Sequence, residues 1–173
     1  LSLITAGGTN VLAFASTEGL VLVDSGAPAQ TDAVMAPVPQ LSTSPAGPLA
    51  ITLFNSHWHL EHTGGNEAIR QAGAAARPAT IVAHENTRLW MATPVWSPVE
   101  DRYRQPRPAA ARPDKTFYDT GSMTTGNERI EYGYLIPAHT SGDIYIRFRD
   151  ANVLAVGDVA SPVRDPELDW FTG

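Results

Sequence analysis

Apolar positions come in short, dense runs along this chain, and their spacing predicts most of its elements. Asn10 to Ser16 (NVLAFAS) and Leu20 to Asp24 (LVLVD) are β-rich runs joined at Thr17-Glu18-Gly19, where glycine takes a positive φ most easily, so the pair reads as a hairpin. Gln30 to Pro37 carries a short helix that the prolines at 37 and 39 stop, and residues 42–48 read as a loop. Ala50 to Asn55 is apolar enough for a central strand. Gly65-Asn66 opens a helix through about Gly73, with Ala68, Ile69 and Ala72 at helical spacing. Thr80 to Ala83 is the next strand, and His84-Glu85-Asn86 leads into a helix towards Met91. Residues 93–115 are dense in Pro and Arg and read as an irregular lid or insertion. Beyond them Lys115 to Asp119, Arg129 to Leu135, Asp143 to Arg149 and Asn152 to Val156 read as strands. This alternation of strands and helices points to a layered α/β sheet.

Composition narrows the class. A chain of 173 residues fits one domain and buries roughly 70% of its unfolded surface. Hydrophobic residues make up 43% and charged residues 17%, a globular balance, and no apolar run approaches the roughly 20 residues of a membrane span. The net charge of -6, from 18 acidic against 12 basic residues, argues against a nucleic-acid partner and leaves a small molecule as the expected one. The arginines between Arg102 and Arg112 read as a solvated loop. With no cysteine, disulfides and thiolate metal ligands are excluded. Neither oligomeric state nor compartment follows from composition.

The candidate chemistry sits at Ile51 to Asn66, ITLFNSHWHLEHTGGN. His57 and His59 stand two apart, so their rings project the same way from an extended loop, and His62 follows within reach of a second ion. Glu61 offers an oxygen ligand or a base. Imidazole and carboxylate suit zinc, and a catalytic zinc takes three protein ligands while leaving one position for water. His139 lies in a turn between two strands and Asp158 ends the apolar run Val153 to Asp158. A sheet that aligns these strand ends brings both to the His57 loop. His84 reads as a helix-start residue, and Trp58, Trp90 and Trp96 as walls of an apolar pocket or parts of the core.

Four stretches together resemble the metallo-β-lactamase superfamily: Val21 to Gly26 (VLVDSG), Ser56 to Asn66 (SHWHLEHTGGN), Ala138 to Asp143 (AHTSGD) and Leu154 to Asp158 (LAVGD). The resemblance implies one domain over 1–173, a four-layer αββα sandwich of two mixed sheets with outer helices, and a metal site on one edge. It implies that His57, His59 and His139 hold a first metal and that Glu61, His62 and Asp158 serve a second, with Asp158 bridging. The implied activity is a binuclear zinc hydrolase acting on an ester, thioester, lactone or β-lactam, with Glu61 orienting the water or taking its proton. Relatives that bind a single iron and oxidise sulfur compounds, and degenerate members that only bind, are the alternatives. The sequence departs from the family at Glu61, where most members have Asp, and in having no histidine after His139. The expectation is therefore a domain incomplete at its C-terminus, within a longer protein.

Overall fold

A computed structural model of the chain describes residues 1–6, 8–41, 43–44, 47–48, 50–73, 78–98, 101–163, 165–166 and 168–171. Strands β1 (Ser2–Ala6), β2 (Thr9–Ala15) and β3 (Gly19–Val23) form an antiparallel meander. Helices α1 (Thr31–Met35) and α2 (Val38–Leu41) come next, then a two-residue ladder of β4 (Thr43–Ser44) with β5 (Gly47–Pro48). The central strand β6 (Ala50–Phe54) runs into the short helix α3 (Leu60–Thr63) and then α4 (Asn66–Ala72). After these lie β7 (Thr80–His84), α5 (Glu85–Ala92), the small hairpin of β8 (Val95–Ser97) and β9 (Arg102–Arg104), and β10 (Lys115–Phe117). The chain then forms β11 (Thr120–Thr125), β12 (Glu128–Tyr134), β13 (Ile144–Phe148) and β14 (Val153–Ala155).

Two sheets result. The first is mixed, in the order β1-β2-β3-β6-β7-β10, with parallel pairing from β3 onward. The second, β11-β12-β13-β14, is antiparallel throughout. Continuous apolar runs belong to strands covered on both faces. In β3, Leu20 and Leu22 join Val34, Val38 and Ile69 of the helices in one core cluster, while Val21 and Val23 face the second sheet. In β6, Leu53 and Phe54 divide in the same way. Among the described residues the second sheet is covered on one face, and its pattern alternates. Ile130, Tyr132, Ile144, Ile146 and Phe148 point inward against Phe54, and Arg129 and Arg147 are exposed on the other side. Full burial of each such Leu, Ile or Phe contributes about 1.5–3 kcal/mol, so the inter-sheet cluster is what docks the sheets.

The fold is the α/β sandwich that the sequence implies. Of its four expected layers, the helices on the first sheet and the two sheets lie among the described residues, and the outward face of the second sheet carries the exposed arginines. Residues 93–115 differ from the irregular lid expected. They hold the β8–β9 hairpin, where Trp96 and Tyr103 pair across the strands with ring centroids 5.1 Å apart, and they end in β10 at the sheet edge. Arg70 from α4 fastens the segment between the hairpin and β10, donating to Ala110 O at 2.6 Å and Arg112 O at 2.8 Å and pairing with Asp114 at 2.8 Å.

Strands β3, β6 and β7 are parallel, so their C-terminal ends share one edge. Hydrogen bonds extend the ladder past them: Asp24 N donates to Phe54 O at 2.8 Å and Asn55 N to Val82 O at 2.9 Å. Ile144 N, at the start of β13, donates to Ser56 O at 2.9 Å and stitches the second sheet to this edge. The candidate residues lie on these ends.

Candidate metal centre

The histidine loop is held from beneath by buried polar side chains. Ser25 Oγ donates to Asn66 Oδ1 at 2.8 Å, and Asn66 Nδ2 donates to Asn55 Oδ1 at 2.9 Å and to Ala111 O at 2.8 Å. Gly64 and Gly65 permit the loop to pass close against residues 25–28. A Cβ on Gly64 would lie 2.4 Å from Pro28, and one on Gly65 would lie 2.5 Å from Ser25 O.

Upon this base four imidazoles converge. The ring of His57 lies 4.8 Å from that of His59, 4.3 Å from His62 and 4.9 Å from His139, measured between centroids. Two sets of donor atoms close enough to share an ion emerge: His57, His59 and His139, and His57, His62 and Asp158. Asp158 Oδ2 stands between them, 3.3 Å from His62 Nε2 and 3.9 Å from His139 Nε2. Five of the six expected site residues are thus brought together. Glu61 belongs to neither set. Its side chain is exposed, and it lines a cavity of about 870 Å³ that His62, His139 and Asp158 also line. His84 also belongs to neither set. It starts α5, where its Nδ1 accepts from Asn86 N at 3.2 Å, and its ring stacks on Tyr134 at 4.0 Å.

The sequence pattern assigns no role to Asp24, and the structure gives it a central one. Its side chain is buried, and its backbone is left-handed at φ 62°. Oδ1 accepts the Ser56 backbone N–H at 2.7 Å, and Oδ2 accepts the Ser56 hydroxyl at 2.7 Å and lies 2.8 Å from His62 Nδ1. The Ser56 hydroxyl spends its only proton on Asp24, so its oxygen can only accept from His57 Nδ1, 3.1 Å away. His57 therefore carries its proton on Nδ1 and a lone pair on Nε2. In the same way His62 donates from Nδ1 to Asp24 and turns Nε2 towards Asp158. Asp143 does comparable work for the third segment: Oδ2 accepts the backbone N–H groups of His139 and Thr140, both at 2.7 Å, and Oδ1 accepts the Thr140 hydroxyl at 2.9 Å. The local signal was the position of each acid, one ending a fully apolar strand and one closing the AHTSGD turn.

A divalent ion fits these donors. His57 Nε2 is buried without a hydrogen-bond partner, and a buried lone pair left that way is costly unless something binds it. Burial, reinforced by the neighbouring His62, His59 and His139, holds the His57 pKa well below its ordinary value, so the ring is neutral and ready to ligate. His62 behaves oppositely: burial alone would lower its pKa, but Asp24 and Asp158 outweigh burial and raise it to about 10. Beside the cluster Trp58 stacks on Trp90 at 6.1 Å and lies 4.7 Å from His59, while Trp96 belongs to the β8–β9 hairpin.

Comparison with known proteins agrees with this architecture. A metallo-β-lactamase from Cronobacter sakazakii superposes with a TM-score of 0.68 at 18% identity, covering 94% of this chain and 61% of its own. The subclass B3 metallo-β-lactamase BJP-1 of Bradyrhizobium japonicum gives 0.65 at 20% identity, covering 89% and 56%. One from Pontibacter korlensis gives 0.63 at 22% identity, covering 95% and 68%. The chain thus spans about three fifths of the length of the first of these structures. No curated protein matches the chain. The family model of the metallo-β-lactamase superfamily matches residues 4–173, and with the HxHxxH loop, His139 and Asp158 gathered on one edge of the sandwich, the chain belongs to that superfamily.

Proposed function

We propose that the protein is a zinc-dependent hydrolase that activates water on an ester, thioester, lactone or β-lactam carbonyl. The observation that carries the reading is the buried, unpartnered Nε2 of His57, common to both donor sets. His57, His59 and His139 would hold one zinc, and His62 and Asp158, grouped with His57, would serve a second. Bound zinc supplies water of pKa near 7 and polarises a carbonyl oxygen. The rest of the chemistry belongs to the chain. Asp24 keeps the lone pairs of His57 and His62 turned inward. Glu61, on the wall of the cavity beside His62 and Asp158, takes the proton of the attacking water. Trp58 and Trp90 present an aromatic face next to His59 and favour substrates with an apolar acyl group.

The test is elemental analysis of the full-length protein together with turnover on a panel of esters, thioesters, lactones and β-lactams. Near two zincs per chain with hydrolysis of at least one class, both lost in His59→Ala and His139→Ala, is the expected result. Full activity in either mutant overturns the proposal. A single iron without hydrolysis would instead support the sulfur-compound dioxygenase.

A further inference from the structure

After Asp158 the chain lines the cavity shared with His62 and His139, through Ala160, Ser161, Pro162 and Val163. Most of its described side chains face solvent there, including Val163, Leu168, Trp170 and Phe171, which are exposed by 87%, 53%, 84% and 65%. Asp169 is the exception in that stretch. Its side chain is 16% exposed and sits 3.0 Å from His59 Nε2. Its backbone N–H donates to His139 O at 2.9 Å, and Oδ1 accepts the Phe171 N–H at 3.0 Å. One residue thus touches two of the three histidines of the first donor set, through the side chain of one and the main chain of the other.

The direction of these contacts matters more than their number. His59 presents Nδ1 to His139 Nε2 at 3.1 Å, on the side of the cluster, and Nε2 to Asp169 on the opposite side. A carboxylate can only accept, so the proton of the neutral imidazole belongs on Nε2 and the lone pair on Nδ1. Asp169 lies behind the ring, outside both donor sets, and is not itself a ligand. We infer that Asp169 is a positioning residue, a carboxylate that fixes the tautomer and tilt of His59 so that Nδ1 faces the ion. A carboxylate behind a metal-bound histidine also raises the basicity of the ligand.

This inference rests on the metal reading of the cluster, and the experiment separates the two. Zinc affinity is measured by chelator competition on the full-length wild type, Asp169→Ala and Asp169→Asn, and the His59 ring nitrogens are observed by long-range ¹H–¹⁵N NMR in the zinc-free proteins. Asp169→Ala loses about 10–100-fold in affinity, the usual consequence of removing such a partner. Asp169→Asn recovers most of that loss, because the amide oxygen still accepts from Nε2–H. The wild type and Asp169→Asn show His59 protonated at Nε2, and Asp169→Ala shows a mixture. Unchanged affinity in Asp169→Ala, or an unchanged His59 spectrum, overturns the inference while leaving the metal site standing. A wild type that binds no zinc overturns both.

Discussion

Replacing Asp24 by Asn is the sharpest probe of how this site is built. The backbone tolerates it, since Asn accepts left-handed φ nearly as readily as Asp, so the change is chemical and not conformational. The Ser56 N–H fixes the amide oxygen at the position of Oδ1, which puts the NH₂ group where Oδ2 received the Ser56 hydroxyl and His62. A donor then faces two donors. The Ser56 hydroxyl must turn to His57, His57 must move its proton to Nε2, and His62, charged in the wild type, must give up its Nδ1 proton. Two charge-assisted hydrogen bonds at about 1.5–3 kcal/mol each are exchanged for neutral ones at about 0.5–1.5, so the metal-free protein loses about 2–3 kcal/mol. Both donor sets lose their inward lone pair because His57 is common to them, and zinc affinity falls by at least the 10–100-fold typical of such partners. Urea unfolding of the metal-free protein and chelator competition read the two effects separately. Stability within about 1 kcal/mol of wild type, inside the range expected of a neutral hydrogen bond, together with undiminished zinc affinity would refute the tautomer argument.

Three more outcomes are expected from the same geometry. Gly157→Ala places a Cβ 2.6 Å from the Ser56 hydroxyl at a residue with φ 56°, and that hydroxyl is held by Asp24 and cannot yield; the expected loss is about 2–4 kcal/mol with weaker zinc binding, and an unchanged melting temperature would contradict it. In the metal-free protein the raised pKa of His62 gives stability that is full below about pH 6.5 and is lost as pH rises towards 10, while the depressed pKa of His57 removes stability as pH falls below 6.5; unfolding midpoints should peak near pH 6.5, and a midpoint still rising at pH 9 would contradict this. Glu61→Gln should leave zinc content unchanged, because Glu61 joins neither donor set, yet lower kcat by about 10²–10⁴-fold; equal kcat would remove Glu61 from the chemistry.

The legible and the hidden parts of this sequence divide along contact distance. His57, His59 and His62 fall within six residues, and His139 and Asp158 each end or join apolar strands, so they were legible as strand-end candidates, which the family resemblance then joined into one site. The partners that orient them are another matter. Asp24 meets Ser56 and His62 across 32 and 38 residues, and Asp169 meets His59 across 110, separations at which no local pattern survives. The core strands were legible because apolar runs covered on both faces are hard to mistake. Several elements were not, among them β1, the β4–β5 ladder placed in an expected loop, α3, β11 and the β8–β9 hairpin. β11 reads TGSMTT, half-exposed at a sheet edge and short of apolar residues, and the β8–β9 hairpin hides among prolines because it buries little beyond Val95 and Ser97 and carries its aromatic pair, Trp96 with Tyr103, on the exposed side. The distinction between Glu61 and its neighbours was equally invisible, since only the turn of α3 decides which of three adjacent polar side chains face inward.

The order of the two sheets along the chain has a thermodynamic meaning. The first sheet is finished at Phe117 and the second begins at Thr120, so the sandwich is two consecutive halves closed on one another. His57, His59 and His62 belong to the first half, and His139 and Asp158 to the second. Neither half alone owns a complete donor set, so an ion bound as proposed would act as a rivet between them, and its binding and the closing of the halves would be a single equilibrium. At a free concentration about 100 times its dissociation constant such an ion adds about 2.7 kcal/mol to the closed state. A chelator should therefore loosen the seam between the sheets before it disturbs either sheet.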